Sequence, residues 1–278
     1  MACGEESALD LGCLRRLLTK AKYFRVDITA ALLHDTKPLF PLSKAMAGTS
    51  VSRPSLKMLS NPLPSIFDEN KQDTRFVSVA SCLGDLHELA ARLQLELAIK
   101  GDAIWDDEEQ MGFLVNPVTH HLLDQQPATA MLSEPMTPCD VISGALRLGA
   151  IIWIILVKRR CRSYPGTAEA RVSRLLKTLL EGSDTQDVWN NPDLRLARLW
   201  LLVLCSISDP GEEDLATAMG MIGREMMEQN AVSWDEIMSG IRQMPWVAIF
   251  EPPCAALGQR LLKDFFGIPL SFSAREVL

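Results

Sequence analysis

Four histidines and seven cysteines are the residues of this 278-residue chain with the widest chemical reach, and their spacing limits it. His87-Glu88 starts like the zinc-protease helix pair. The position for the second histidine, one helical turn on, holds Ala91, so a metal has no two-imidazole clamp. His120 and His121 are adjacent and point apart on a helix. With Asp124 they form a general acid/base group only if they line a pocket; the plainer reading is loop or surface histidines. His34 stands alone. Cys3, Cys13, Cys82, Cys139, Cys161, Cys205 and Cys254 include no closely spaced pair, which removes zinc fingers, ribbons and knuckles. An odd, scattered set of thiols reads as small core hydrophobes, not as a disulfide framework. The Gly-x-Ser-x-Gly elbow and the phosphate loop ending in Lys-Ser or Lys-Thr are both absent from the sequence. No catalytic, cofactor-binding or metal-ligating residue is therefore assigned. No cofactor is expected, and the chain is not expected to be an enzyme.

Lys158, Arg159, Arg160 and Arg162 make the one dense basic cluster. Such a cluster touches phosphates or serves as a nuclear address. It also belongs at a helix C-terminus, where cations complement the dipole. The formal net charge of -7, from 28 basic against 35 acidic residues, makes nucleic acid a poor non-specific partner. Met219, Met221, Met226 and Met227, with Met238 and Met244 nearby, form an adaptable apolar region suited to core packing or to varied ligands. Gly220 and Gly223 inside it read as close helix packing.

These residues need elements to position them, and helical periodicity dominates. With 47% hydrophobic and 23% charged residues, the composition is that of an ordinary globular protein and excludes disordered or collagen-like chains. Leu11, Leu14, Leu17 and Leu18 share one helical face, and a second short helix is predicted over Asp27 to His34. Five prolines and six serines between Thr36 and Arg75 mark a linker, and Arg75 to Val79 is an isolated β-like piece. Leu86, Leu89, Ala90, Leu93 and Leu97 define the next helix, broken by Gly101. A short helix opens at Asp102, and residues 117–136, with three prolines, read as loop-rich. Thr137-Pro138-Cys139-Asp140 is a helix start. Val172 to Leu180 forms a stripe, Asn191-Pro192-Asp193 opens a helix apolar from Leu199 to Cys205, and Asp209-Pro210-Gly211-Glu212 opens the next. Ser233-Trp234-Asp235-Glu236 is a capping box, and a last helix starts near Pro253. The expected fold is all-α: an irregular bundle of about ten helices with a Pro/Ser-rich N-terminal linker. Residues 1–35 hold short helices, 36–76 the linker and 77–278 the main helical domain.

Two acids and no basic cluster in Met1 to Ser7 are unlike a signal or transit peptide, and predict free thiols in a reducing compartment. The longest apolar run, Leu148 to Val157, is ten residues. A bilayer span needs about 20. A buried central helix is the expectation; a membrane span over 141–157 is the competing one.

The second half resembles a known family. Gly144-Ala145-Leu146-Arg147-Leu148-Gly149-Ala150-Ile151-Ile152-Trp153, then Lys158-Arg159-Arg160, then Tyr164-Pro165, resembles the central helix of the fungal-specific transcription factor domain. Leu194 to Ile207 is similar to its leucine/tryptophan-rich helix. Ser233 to Ile237, with Arg242, Pro245-Trp246 and Phe250, is similar to its terminal block. The likeness spans roughly residues 80 to 265. It implies an all-helical regulatory domain, normally C-terminal to a binuclear zinc cluster, in proteins that often control specialised-metabolite gene clusters. That cluster needs six closely grouped cysteines, and residues 1–80 hold only Cys3 and Cys13. The expectation is therefore a nuclear (or cytoplasmic) regulator-like protein that acts through protein partners, self-association or a small-molecule effector, without direct DNA binding or membrane attachment. The alternative is a pathway enzyme or accessory protein on the same scaffold, with His120, His121 and Asp124 as its candidate site.

Overall fold

The computed structural model describes residues 11–42, 72–125, 136–161, 169–182, 185–208, 211–229, 231 and 233–266. For residues 11–22, 169, 170 and 266 the backbone alone is described. Among the described residues there are ten α-helices, three short 3-10 turns and no strand, so the fold is all-α. The helices are α1 (Leu11–His34), α2 (Thr74–Lys100), α3 (Glu108–Asp124), α4 (Pro138–Arg160), α5 (Glu169–Glu181), α6 (Gln186–Trp189), α7 (Arg195–Ile207), α8 (Glu212–Glu228), α9 (Trp234–Ile241) and α10 (Glu251–Phe266).

Among the described residues α4 is the buried centre, while α8, α9 and α10 pack on α7. The start of α4 is fixed locally: Thr137 Oγ1 accepts from the Asp140 backbone N–H, Asp140 returns the bond to the Thr137 N–H, and Pro138 occupies the first turn. Ile151, Ile152, Trp153, Ile154 and Ile155 are all fully buried, so this helix is apolar on every side and covered on every side. Helices α2, α3, α5 and α7 pack directly on it. By length and composition α4 could also cross a bilayer; here 89% of its apolar window is buried against the other helices. Gly149 sets the closest approach. A Cβ there would overlap Leu201 Cδ2 and stand 3.0 Å from Trp200 Cζ3, so α7 sits against bare α4 backbone.

Several local expectations differ from the structure. The first two predicted helices are one, α1, because Thr19 to Val26 contains neither glycine nor proline to interrupt it. Arg75 to Val79 is the first turn of α2, not a β-like piece: Asp73 caps it by accepting from the Arg75 and Phe76 N–H groups at 2.8 and 3.1 Å. The stretch after Gly101 is a 3-10 turn, Gly101–Asp106, and the true helix starts at Glu108 behind Asp107, which caps Gln110. That helix, α3, runs through Pro117 to Asp124. A proline costs a helix one backbone bond, but Val115, Val118, Leu122 and Leu123 are buried in the core and hold the turn together. Two other starts agree with expectation: the α8 N-cap is Gly211, inside the Asp209-Pro210-Gly211-Glu212 signal, and α10 opens at Glu251, near Pro253. Most of the 36–76 linker, and Tyr164-Pro165 and Arg162, lie outside the described residues.

Helix α1 joins the same core through Phe24, Ile28, Ala31 and Leu32. It ends on Asp35, whose φ of 49° is left-handed, and the turn is closed by the Thr36 N–H donating to Ala31 O at 3.0 Å. Asp35 is buried, and its carboxylate stands 2.6 Å from Arg147, a fully buried guanidinium in the middle of α4. Arg147 Nε also donates to Leu122 O on α3 at 3.3 Å. One charged pair thus locks the end of α1 to the central helix and α3.

Candidate functional site

A cleft of about 240 Å³ lies between α2 and the segment from Arg242 to Glu251. Helical geometry builds one side: His87, Ala90, Ala91 and Gln94 fall on a single face of α2. The other side is the connection between α9 and α10, with Met244, Trp246 and Ala248. Gln94 Nε2 donates to Trp246 O at 3.3 Å and ties the two sides together.

The charges in the cleft cancel in place. Arg242 grips Glu251 with both arms of its fork, Nε to Oε1 at 2.9 Å and Nη2 to Oε2 at 2.8 Å. Trp246 Nε1 adds a third bond to Glu251 Oε1 at 2.9 Å. The guanidinium hydrogen bond holds the Glu251 carboxyl below the usual carboxylate range. His87 is different. Burial pulls its imidazole below the ordinary histidine value, and its Nδ1 is buried without a hydrogen-bond partner. The cleft therefore offers a neutral imidazole, a neutralised ion pair, one indole and a floor of alanines.

The wall of this cleft connects to the core. Trp246 meets Phe250 edge-on at 5.3 Å, and Phe250 meets Trp153 of α4 edge-on at 5.8 Å. The residue before Trp246 has the more telling contact: Pro245 O accepts from two buried indoles, Trp153 Nε1 at 3.1 Å and Trp200 Nε1 at 3.2 Å. Helices α4 and α7 and the terminal block meet at that one carbonyl.

The group of His120, His121 and Asp124 does not assemble. His120 Nε2 pairs with Phe40 O at 3.0 Å and stacks on Phe24. His121 Nδ1 pairs with Asp85 Oδ2 of α2 at 2.6 Å. Asp124 faces Lys37 at 3.4 Å. The hydrogen bond that its ring donates to Asp85, with a second donated to Cys82, raises His121 to about 10. At neutral pH it is an imidazolium, unable to take a proton or bind a metal.

Among the described residues no cluster of three or more His, Cys, Asp and Glu side chains fits a metal ion. Cys82, Cys139, Cys161, Cys205 and Cys254 are free thiols. Burial raises Cys139 and Cys161 to about 11 and Cys205 and Cys254 to about 12, so none of these four is a thiolate nucleophile at neutral pH. The basic cluster is split by environment. Lys158 is half-buried, bonded to Asn116 Oδ1 at 2.8 Å and lowered by burial to about 8, while Arg159 and Arg160 are exposed. Met219, Met221, Met226, Met238 and Met244 are core, and only Met227 of that group is exposed. Gly223 sits where a Cβ would stand 3.2 Å from Phe265 Cδ1, the close helix packing expected there.

In sequence His87 reads only as an incomplete metal motif. Its partners Ala91 and Gln94 were one helical turn away at each step, a signal that i, i+4, i+7 spacing carries. The opposite wall comes from residues about 150 positions further on, which local pattern does not connect to α2.

A scan against protein-family models finds no match, and searches of the curated proteins and of the solved structures find none either.

Proposed function

We propose that this chain is a regulatory protein of gene expression, built on a helical domain like the fungal-specific transcription factor domain. In this reading it works in the nucleus on a specialised-metabolite gene cluster. It does so through protein partners or a small-molecule effector, not by reading DNA with a zinc cluster of its own. The observation that carries the reading is the carbonyl of Pro245. The three sequence blocks behind the resemblance, in α4, in α7 and in Ser233 to Phe250, contribute Trp153, Trp200 and Pro245 to one buried junction. Blocks that resemble the family in order and texture lie together as one physical unit. A buried acceptor serving two indole donors is costly to change, since removing it strands both N–H groups.

The test is a fusion. The full chain joined to a heterologous DNA-binding module is expected to change output from a reporter carrying that module's site several-fold. Output equal to that of the module alone, with the fusion present in the nucleus, contradicts the reading.

A further inference from the structure

The cleft between α2 and residues 242–251 has a chemistry of its own. Its size is the first constraint: about 240 Å³ is below the roughly 300–1,000 Å³ of drug-sized ligand sites, so the occupant is small. Charge is the second. The guanidinium in the lining is held bidentate by Glu251, so an ion entering would lose hydration and meet no free counter-charge. Hydrogen bonding is the third. His87 lines the cleft; its Nδ1 is closed off, which leaves Nε2 as the ring nitrogen a ligand can reach, and in a neutral imidazole that nitrogen is either an N–H or bare. An amide or hydroxyl group both donates and accepts, so it satisfies that atom in either tautomer. Gln94 adds an amide whose Nε2 is already bonded to Trp246 O, and the remaining lining is apolar: the methyl groups of Ala90, Ala91 and Ala248, and the larger Met244 and Trp246.

We infer that this cleft binds a small, uncharged, planar ring compound bearing an amide or hydroxyl group, lying on Ala90 and Ala91 beside Trp246 and hydrogen-bonded to His87. Such a ligand has a route to the core. Trp246 packs on Phe250, Phe250 packs on Trp153, and the neighbouring Pro245 O holds Trp153 and Trp200. Binding stands on the cleft alone; the ligand's part as an effector rests on the regulatory reading above.

The experiment titrates the full chain, near neutral pH, with benzamide and with benzoate. The two share a shape and differ in charge. Benzamide is expected to shift the backbone amide NMR signals of residues 87–94 and 242–251 saturably at millimolar concentration, with benzoate roughly tenfold weaker. Ala91 is exposed, so Ala91→Trp fills the cleft without entering the core and should abolish those shifts at unchanged helical content. His87→Phe should weaken benzamide while keeping the fold. Benzamide shifts that are absent, that lie elsewhere, or that persist in Ala91→Trp overturn the site. Benzoate binding as well as benzamide overturns the assigned ligand class. A silent reporter fusion with benzamide binding intact overturns the regulatory reading and not the site.

Discussion

Two side chains in this molecule do work that their types would not suggest. Arg147 lies in an otherwise apolar helix, fully buried against Asp35. Removing one partner of a buried pair leaves a bare charge in the core, whereas removing both leaves none. Arg147→Ala is expected to lose about 3–5 kcal/mol in urea unfolding. Arg147→Met combined with Asp35→Asn should recover most of it, because asparagine tolerates the left-handed backbone of position 35. A double variant no more stable than the single one would contradict the pairing. His121 is the second. Its folded value, raised to about 10 by Asp85, lies above the ordinary 6.5. The stabilisation is therefore complete below about 6.5 and is lost as pH rises through 10. Lys158, lowered to about 8, drives stability the other way between 8 and its ordinary 10.5, so the comparison must be with a variant. The stability gap between wild type and His121→Gln should shrink steadily from pH 6.5 to 9; a constant gap would contradict the ion pair.

At the scale of elements, contact surfaces outweigh local propensity. Gly149 and Gly220 both lie in helices, and alanine is the better helix former at each. At Gly149 an added methyl meets Leu201 and Trp200, so Gly149→Ala should cost about 1–3 kcal/mol by overpacking α4 against α7. At Gly220 the nearest atom is Phe265 Cζ at 3.8 Å, an ordinary contact. Gly220→Ala should be neutral or gain up to about 1 kcal/mol. Equal shifts in urea midpoint for the two would remove the close approach from the account of why α4 carries a glycine. The same balance explains which elements were legible in the sequence. Helix α4 was, because Thr137-Pro138-Cys139-Asp140 is a complete local start signal. The continuation of α3 past Pro117 was not, because burial of Val118, Leu122 and Leu123 decides it, and their partners are distant in sequence. Val77 and Val79 suggested a strand for the same reason: their β propensity is real, but the Asp73 cap and the buried Phe76 face set a helix.

For the whole molecule, one buried junction and one surface cleft share a segment, residues 242–251. Little of this was legible beforehand. His120, His121 and Asp124 looked like a group because they are close in sequence; in the fold they face Phe40, Asp85 and Lys37. Arg242, Trp246 and Phe250 stand out in sequence for their likeness to a family block, and only the fold puts Arg242 and Trp246 on one cleft wall and links Trp246 through Phe250 to Trp153. The regulatory reading makes its clearest demand on the host cell, where an enzyme and a regulator on the same pathway part company. The measurement is transcript abundance across the genome after deletion of this gene, taken beside the level of the pathway product. A regulator is expected to leave a coordinated, several-fold change in the transcripts of a set of co-located genes, restored by the intact chain. Loss of the product with every transcript unchanged would contradict it and turn the reading toward an enzyme.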